Sequence, residues 1–212
     1  AALRKVEILE GIKSNLCKFV PTAVTRLMER SPDGEIQEAE ERDISVLFLD
    51  IEGYTRITEE LGATEVNNLT ERYFSVFMDA IYQNNGDVVE TAGDGLMVLF
   101  MTDDTNRHAM EAIQTAVTIR QKAQCINAEC TLGRDPVIIN MGVSSGRAFV
   151  GASKFDSYTG GRWAYTSHGT TTNVAARLCG QARGGEILVA RDTAKRTHGS
   201  FAYQCVGPVK LK

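Results

Sequence analysis

The chain has 212 residues, of which 43% are hydrophobic, 24% charged and 7% aromatic, with 27 acidic against 23 basic side chains and a formal net charge of −4. This length can bury the core of one domain, with or without a short appendage, and the composition excludes disorder, collagen-like repeats and a small disulfide scaffold. No run of lysine or arginine is present, which argues against a nucleic-acid surface, because sequence-independent binding to phosphates needs clustered positive charge.

At the N-terminus Leu3, Val6 and Leu9 are interleaved with Arg4, Lys5, Glu7 and Glu10. There is no apolar core of a signal peptide, and the segment reads as a helix entered midway. Val6, Leu9, Ile12, Leu16 and Phe19 step by three or four, the stripe of an amphipathic helix, and Pro21 interrupts it before Val24, Leu27 and Met28 resume. Two readings fit: a helix packed on its own domain, or the end of a coiled linker carrying a signal from an upstream sensor. Ser31-Pro32-Asp33-Gly34 is a turn, and the acidic stretch Glu35 to Glu41 a solvated connector. Residues 1–42 are thus expected to form a helix and linker, and residues 43–212 the domain proper.

The core opens with Ile44 to Ile51, a nearly continuous apolar run expected to form a strand buried on both faces. Asp50 ends it, a carboxylate where the pattern predicts none. From Thr64 to Gln83 the residues Val66, Leu69, Tyr73, Phe77 and Ile81 keep helical spacing, and Asn85-Gly86 stops that helix. Asp87 to Thr91 and Leu96 to Met101 then form a hairpin around the turn Ala92-Gly93-Asp94-Gly95. A second helix is expected from about Thr105 to Ile126, capped by Asp104 or Thr105 and carrying Ala109, Ile113, Ala116 and Ile119 on one side. Val137 to Val143 is a further strand. The order strand, helix, strand, strand, helix, strand is the α+β, ferredoxin-like (βαββαβ) unit, an antiparallel sheet with its helices on one face. Beyond Ser144 the same sheet is elaborated by a short strand at Arg147 to Val150, a loop from Gly151 to Gly169, a helix from Thr172 to Gln181 and a strand at Glu186 to Ala190.

Two carboxylates stand out by position. Asp50 ends the first buried strand and Asp94 sits at the hairpin tip, and in a ferredoxin-like sheet these places are neighbours at one edge. Two aspartates there can hold a pair of divalent cations that activate an attacking oxygen and neutralise a phosphate leaving group; taken singly, each is also an ordinary turn residue. The five cysteines, Cys17, Cys125, Cys130, Cys179 and Cys205, lack any Cys-x-x-Cys pair and are expected to be reduced thiols in a cytoplasm. Gly146 to Ser153 has the glycine spacing of a phosphate-binding loop, but Ala152 replaces the essential lysine. His108, His168 and His198 lack ligand spacing, and Trp163 reads either as packing in its loop or, being close to Thr166, as a platform for a base.

The text around the two aspartates carries more. Val46-Leu-Phe-Leu-Asp50-Ile-Glu-Gly-Tyr-Thr55, then Glu90-Thr-Ala-Gly-Asp94-Gly-Leu-Met-Val-Leu-Phe100, then Asn173-Val-Ala-Ala-Arg177-Leu closely resemble the class III nucleotidyl cyclase catalytic domain, the family of adenylate and guanylate cyclases. The resemblance spans Asp43 to Lys212 and extends to the spacing of the aspartates; three ordered motifs are far more specific than one. It implies the palm-type cyclase fold, its closing strand lying beyond Lys212. It further implies that Asp50, Asp94 and the carbonyl of Ile51 hold two Mg2+ or Mn2+ ions, that Asn173 orients the ribose, that Arg177 stabilises transition-state charge, and that Lys212 contacts the triphosphate. Sites shared across a head-to-tail homodimer, and an upstream sensor or regulatory domain acting through the N-terminal helix, follow from the same resemblance. A cytoplasmic location is expected, with the parent protein's membrane attachment left open.

Base choice departs from the commonest pattern. Four residues before the second aspartate, where adenylate cyclases resemble one another in a lysine and guanylate cyclases in a glutamate, this chain has Glu90. A glutamate can accept from the N1–H and N2–H2 donors of guanine together, and Thr166, at the companion position, can donate to O6. Glu90 therefore points to GTP over ATP, and Thr166 is neutral. Asn140 stands where some relatives have an arginine for the triphosphate.

Overall fold

Strand β1, Glu40–Ile51, organises the molecule because it is apolar on both faces: Ile44 and Val46 point one way and Leu47, Leu49 and Ile51 the other, each almost completely buried. Such a strand needs cover on both sides. The computed structural model describes residues 2–30, 39–129, 135–157 and 160–208. Lys212 and Cys130 lie outside them.

After β1 come α3 (Tyr54–Gln83), β2 (Gly86–Ala92), β3 (Gly95–Phe100), α4 (Thr105–Glu129), β4 (Ile139–Ser157), β5 (Gly160–His168), α5 (Thr170–Gln181), β6 (Ile187–Val189) and α6 (Arg191–Arg196), with α1 (Ala2–Leu16) and α2 (Thr22–Arg30) in front. The sheet runs β2-β3-β1-β4-β5, its neighbours antiparallel, with β6 parallel to β4. β1 through β4 with α3 and α4 make the expected βαββαβ unit.

Tyr73, Phe77 and Ile81 of α3 and Ala112, Ala116 and Ile119 of α4 close the larger core over Leu47, Leu49, Val98, Phe100, Met141 and Val143. On the opposite face α5 packs through Ala175 against Ile44, Val46, Met97, Leu99 and Val150. It comes unusually near the sheet at Gly142, where a β-carbon would stand 2.2 Å from the Ala175 carbonyl oxygen and 2.3 Å from the Cys179 amide nitrogen. The Asp104 carboxylate caps α4, accepting from the amides of Asn106 and Arg107 at 2.9 and 3.1 Å.

Several expectations are corrected. Helix α3 begins ten residues before Thr64, at Tyr54, and a break at Gly62 (φ 66°, ψ 162°) divides it, which hides the periodicity of its first half. The strands expected at 137–143 and 147–150 run together in one β4 that starts at Ile139, and within the expected loop 151–169 residues 151–157 of β4 pair with residues 160–166 of β5. That hairpin escapes sequence patterning because large apolar residues on it, Phe149, Phe155 and Trp163, are exposed instead of buried. The short α6 has no periodic signal of its own.

Among the described residues, the first part of the N-terminal stripe is left exposed. Leu3, Val6, Leu9, Ile12 and Leu16 of α1 are all at least half exposed. Helix α2 is tied down at its start, where both oxygens of Asp87 on β2 accept from the amides of Thr22 (2.8 Å) and Ala23 (2.7 Å), a carboxylate capping a helix N-terminus from another element. Among the described residues, no helix is long and apolar enough to cross a membrane.

Candidate active site

Asp50 and Asp94 are brought together by the pairing of β1 with β3. Asp50 lies opposite Gly95 on one side and Asn140 on the other, and the Ile51 amide donates to the Asp94 carbonyl at 3.1 Å. Gly95 leaves this corner open: a β-carbon there would stand 3.0 Å from the Leu49 carbonyl oxygen and 3.5 Å from Asp50 Oδ1.

Burial, reinforced by the neighbouring Asp94 charge, pushes the Asp50 carboxyl up to about 6. Neither aspartate forms an ion pair with a basic side chain among the described residues. Two facing carboxylates with no cation between them are a donor set suited to hard divalent ions. Among the described residues no cluster of three or more His, Cys, Asp and Glu gathers, so an ion here would draw on Asp50, Asp94 and main-chain oxygen such as the Ile51 carbonyl, with its remaining positions left to substrate and water.

The floor of the corner comes from α5. Cys179, read from sequence only as a reduced thiol, is buried there and donates to the Asn140 carbonyl at 3.4 Å; burial, with the Asp50 charge second, pushes it up to about 12. It is therefore an inert thiol. The other side of α5 is different. Thr171, Thr172, Ala175, Leu178 and Cys179 are buried, whereas Asn173 and Arg177 are exposed. The pair shares one face as its spacing predicts, and that face is turned from the sheet that carries the aspartates.

Glu90 is exposed on β2, just after a bulge that shifts the register between Val88 and Glu90, and pairs with Met97. Thr166 is half-buried on β5 opposite Gly151. The two strands are at opposite ends of the strand order, yet β5 reaches back toward β2 and β3: Tyr165 donates to Met101 Sδ at 3.8 Å, and burial, with the Asp87 charge second, raises its hydroxyl. Gly146 to Ser153 lies inside β4 and is no phosphate loop. Trp163 sits beside Lys154, whose Nζ is 6.0 Å from the ring centroid.

Asn140 is not directed to a substrate. Its amide nitrogen donates to Glu52 Oε2 at 2.8 Å and its oxygen accepts from the Gly185 amide at 3.0 Å. Glu52, which sequence patterning did not single out, also accepts from the Gly184 amide at 2.7 Å; these hydrogen bonds, that of Asn140 first, hold its carboxyl below the usual range.

A sequence model described as the adenylate and guanylate cyclase catalytic domain matches residues 36–212. The chain belongs to this family. Among curated relatives of the cyclase domain, adenylate cyclase 1 of Rhizobium meliloti is 25% identical over 199 residues, covering 92% of this chain and 29% of its own length. The adenylate cyclase of Anabaena cylindrica is 27% identical over 189 residues, covering 84% and 36%. The chain thus spans about a third or less of the length of the curated relatives it matches. Solved structures share the fold. The adenylyl cyclase CyaB from P. aeruginosa superposes with a TM-score of 0.75 at 24% identity over 82% of this chain and 90% of that one. A bacterial light-regulated adenylyl cyclase gives 0.84 at 22% identity, over 99% of this chain and 61% of that one. The guanylyl cyclase Cya2 gives 0.69 at 24%, over 82% and 90%.

Proposed function

We propose that the cyclase domain converts a purine nucleoside triphosphate, GTP in preference to ATP, into the 3′,5′-cyclic nucleotide and pyrophosphate at sites shared by two copies of the chain. The observation that carries this reading is the opposed placement of the two halves of the site. Asp50 and Asp94 form an unneutralised corner on the sheet, while Asn173 and Arg177 stand on the outer face of α5. A second copy in a two-fold, head-to-tail arrangement supplies the missing half to each corner, giving two equivalent sites.

Asp50, Asp94 and the Ile51 carbonyl are the residues that would hold Mg2+ or Mn2+, two ions per site, which when bound supply charge that eases loss of the ribose 3′-proton and neutralises the leaving pyrophosphate. The residues of the chain position and stabilise. Asn173 orients the ribose so that its 3′-oxygen faces the α-phosphorus in line with the bond to the β-phosphate. As the new ester bond forms and pyrophosphate departs with the bonding pair, the Arg177 guanidinium meets the negative charge developing on the α-phosphoryl oxygens. Glu90 accepts from the guanine N1–H and N2–H2 groups and Thr166 donates to O6. Lys212 contacts the triphosphate. Residues 1–42 are the segment through which an upstream sensor or regulatory domain sets the relative angle of the two chains.

Mixing an Asp50→Ala chain with an Arg177→Ala chain tests the shared site: neither makes product alone, and verified heterodimers recover one intact site per dimer. No recovery overturns sharing. The named relatives, both adenylate cyclases, favour ATP as a second reading. Mass spectrometry of products from GTP, ATP, CTP and UTP in Mn2+ separates the two. Product from none of them, in a confirmed dimer, leaves a non-catalytic nucleotide-binding domain.

A further inference from the structure

The corner that holds Asp50 is continued by a turn, and that turn is fastened to a distant part of the chain. Glu52 follows Ile51 directly. Its amide donates to the Ile138 carbonyl at 2.9 Å, and its carboxylate oxygen Oε2 accepts from Asn140 Nδ2 at 2.8 Å and from the Gly184 amide at 2.7 Å. Asn140, only 4% exposed, completes the link by accepting from the Gly185 amide at 3.0 Å. Gly184 and Gly185 both have positive φ, 60° and 84°, so successive main-chain N–H groups converge on the Glu52–Asn140 pair as in an anion-holding nest. Behind them the chain runs back through Ala182, whose amide donates to the carbonyls of Leu178 and Cys179, into the end of α5.

We propose that Glu52 is a positioning residue: clasped by Asn140 and the Gly184-Gly185 turn, it fixes the main chain at Ile51 and the carboxylate of Asp50 in the arrangement that receives the metal ions, and fixes both relative to α5. This rests on the reading of Asp50, Ile51 and Asp94 as the metal-holding set. The link has no other evident use. Asn140 Oδ1 and Nδ2 and Glu52 Oε2 are engaged with each other and with the turn. A partly buried polar link of this kind is costly unless every member is paired. It joins the residue after an implied metal ligand to the end of the helix bearing Asn173 and Arg177. Supports of this kind behind metal ligands are typically worth about tenfold to a hundredfold in metal affinity.

The pair can be broken and rebuilt. Asn140→Asp alone sets two carboxylates against each other across the former hydrogen bond. Adding Glu52→Gln restores that bond in reverse: the introduced side-chain amide at position 52 donates to the introduced carboxylate at position 140, which still accepts from the Gly185 amide, while the Gly184 amide loses the Oε2 atom it shared with Asn140. Three chains are compared: wild type, Asn140→Asp, and the exchanged pair. Binding of Mn2+ alone is followed by the electron paramagnetic resonance signal of the free ion, and hydrogen exchange is measured at the Gly184 and Gly185 amides. The expected result is a loss of Mn2+ affinity of about tenfold or more in Asn140→Asp, faster exchange at the Gly185 amide, and recovery of that affinity and of Gly185 protection in the exchanged pair to within about threefold of wild type. Recovered amide protection without recovered Mn2+ affinity would show a merely structural clasp and overturn the proposal, as would unchanged affinity in Asn140→Asp. Absence of Mn2+ binding in the wild-type chain counts instead against the metal-holding set itself, so the two failures are distinguishable.

Discussion

Replacing Gly142 by alanine tests whether the placement of α5 governs catalysis. The added β-carbon would lie 2.2 Å from the Ala175 carbonyl oxygen and 2.3 Å from the Cys179 amide nitrogen, both main-chain atoms that no side-chain rotation can move. Restoring ordinary van der Waals separation requires α5 to lift by about 1 Å along that direction. Overpacking of this kind costs about 1–3 kcal/mol of stability, which a domain of this size tolerates. The outer face of α5 moves with it, carrying Asn173 and Arg177, and a misplacement of about 1 Å in a positioning group costs on the order of a hundredfold in rate. The assay is kcat for cyclic nucleotide formation at saturating GTP and Mn2+, on protein whose folding is checked by urea denaturation. Gly180→Ala is the control: it lies in the same helix, and nothing stands within 4 Å of its added carbon, so it gains about 0.5 kcal/mol and keeps wild-type kcat. A folded Gly142→Ala protein with kcat within about twofold of wild type would refute the link between α5 placement and rate.

Two further outcomes follow from polar contacts away from the reacting groups. His108, fully buried on α4, has Nδ1 2.7 Å from Ser45 Oγ and Nε2 3.2 Å from Asp43 Oδ1, and Asp43 in turn pairs with Arg196. Burial holds the imidazole below its usual range despite attraction from Asp43 and Glu111, so below about pH 6.5 the unfolded chain takes up a proton that the folded one refuses. Stability therefore falls with pH from there down to the folded-state value, by at most about 1.4 kcal/mol per pH unit. His108→Gln removes the titrating group while leaving a polar side chain in place, and urea denaturation at several pH values is expected to show a flatter profile; a pH-independent difference from wild type would rule this out. Asp87→Ala removes the carboxylate that holds the Thr22 and Ala23 amides, at a cost of about 1–2 kcal/mol of local stability. Hydrogen exchange in the first turn of α2 should accelerate while the amides of α4 stay protected, and unchanged exchange in α2 would mean that other contacts hold it.

What was legible in the sequence is what one side chain or one period can report. The double-faced apolar run of β1 announced a strand covered on both sides, and Asp50 at its end and Asp94 in its turn were visible as acids out of pattern. The stripe of α4 and the Asp104 cap lie where composition puts them. Illegible were features that depend on distant partners. The first half of α3 was lost behind the break at Gly62, and the β4–β5 hairpin keeps large apolar side chains in solvent, so alternation gives no signal. Glu52 looks like any solvated acid until the fold brings Asn140 and two glycine amides to it. Asn173 and Arg177 could be placed on one helical face, but that this face turns from the aspartates depends on α5 resting on Gly142.

Helix α1 has 15 residues and a row of apolar side chains that the described residues leave uncovered. Isolated helices of that length are marginal in water, since nucleation is unfavourable and most helical stability comes from an apolar face finding a surface. The fraction of time that α1 is wound is therefore a direct gauge of how much apolar surface meets that row.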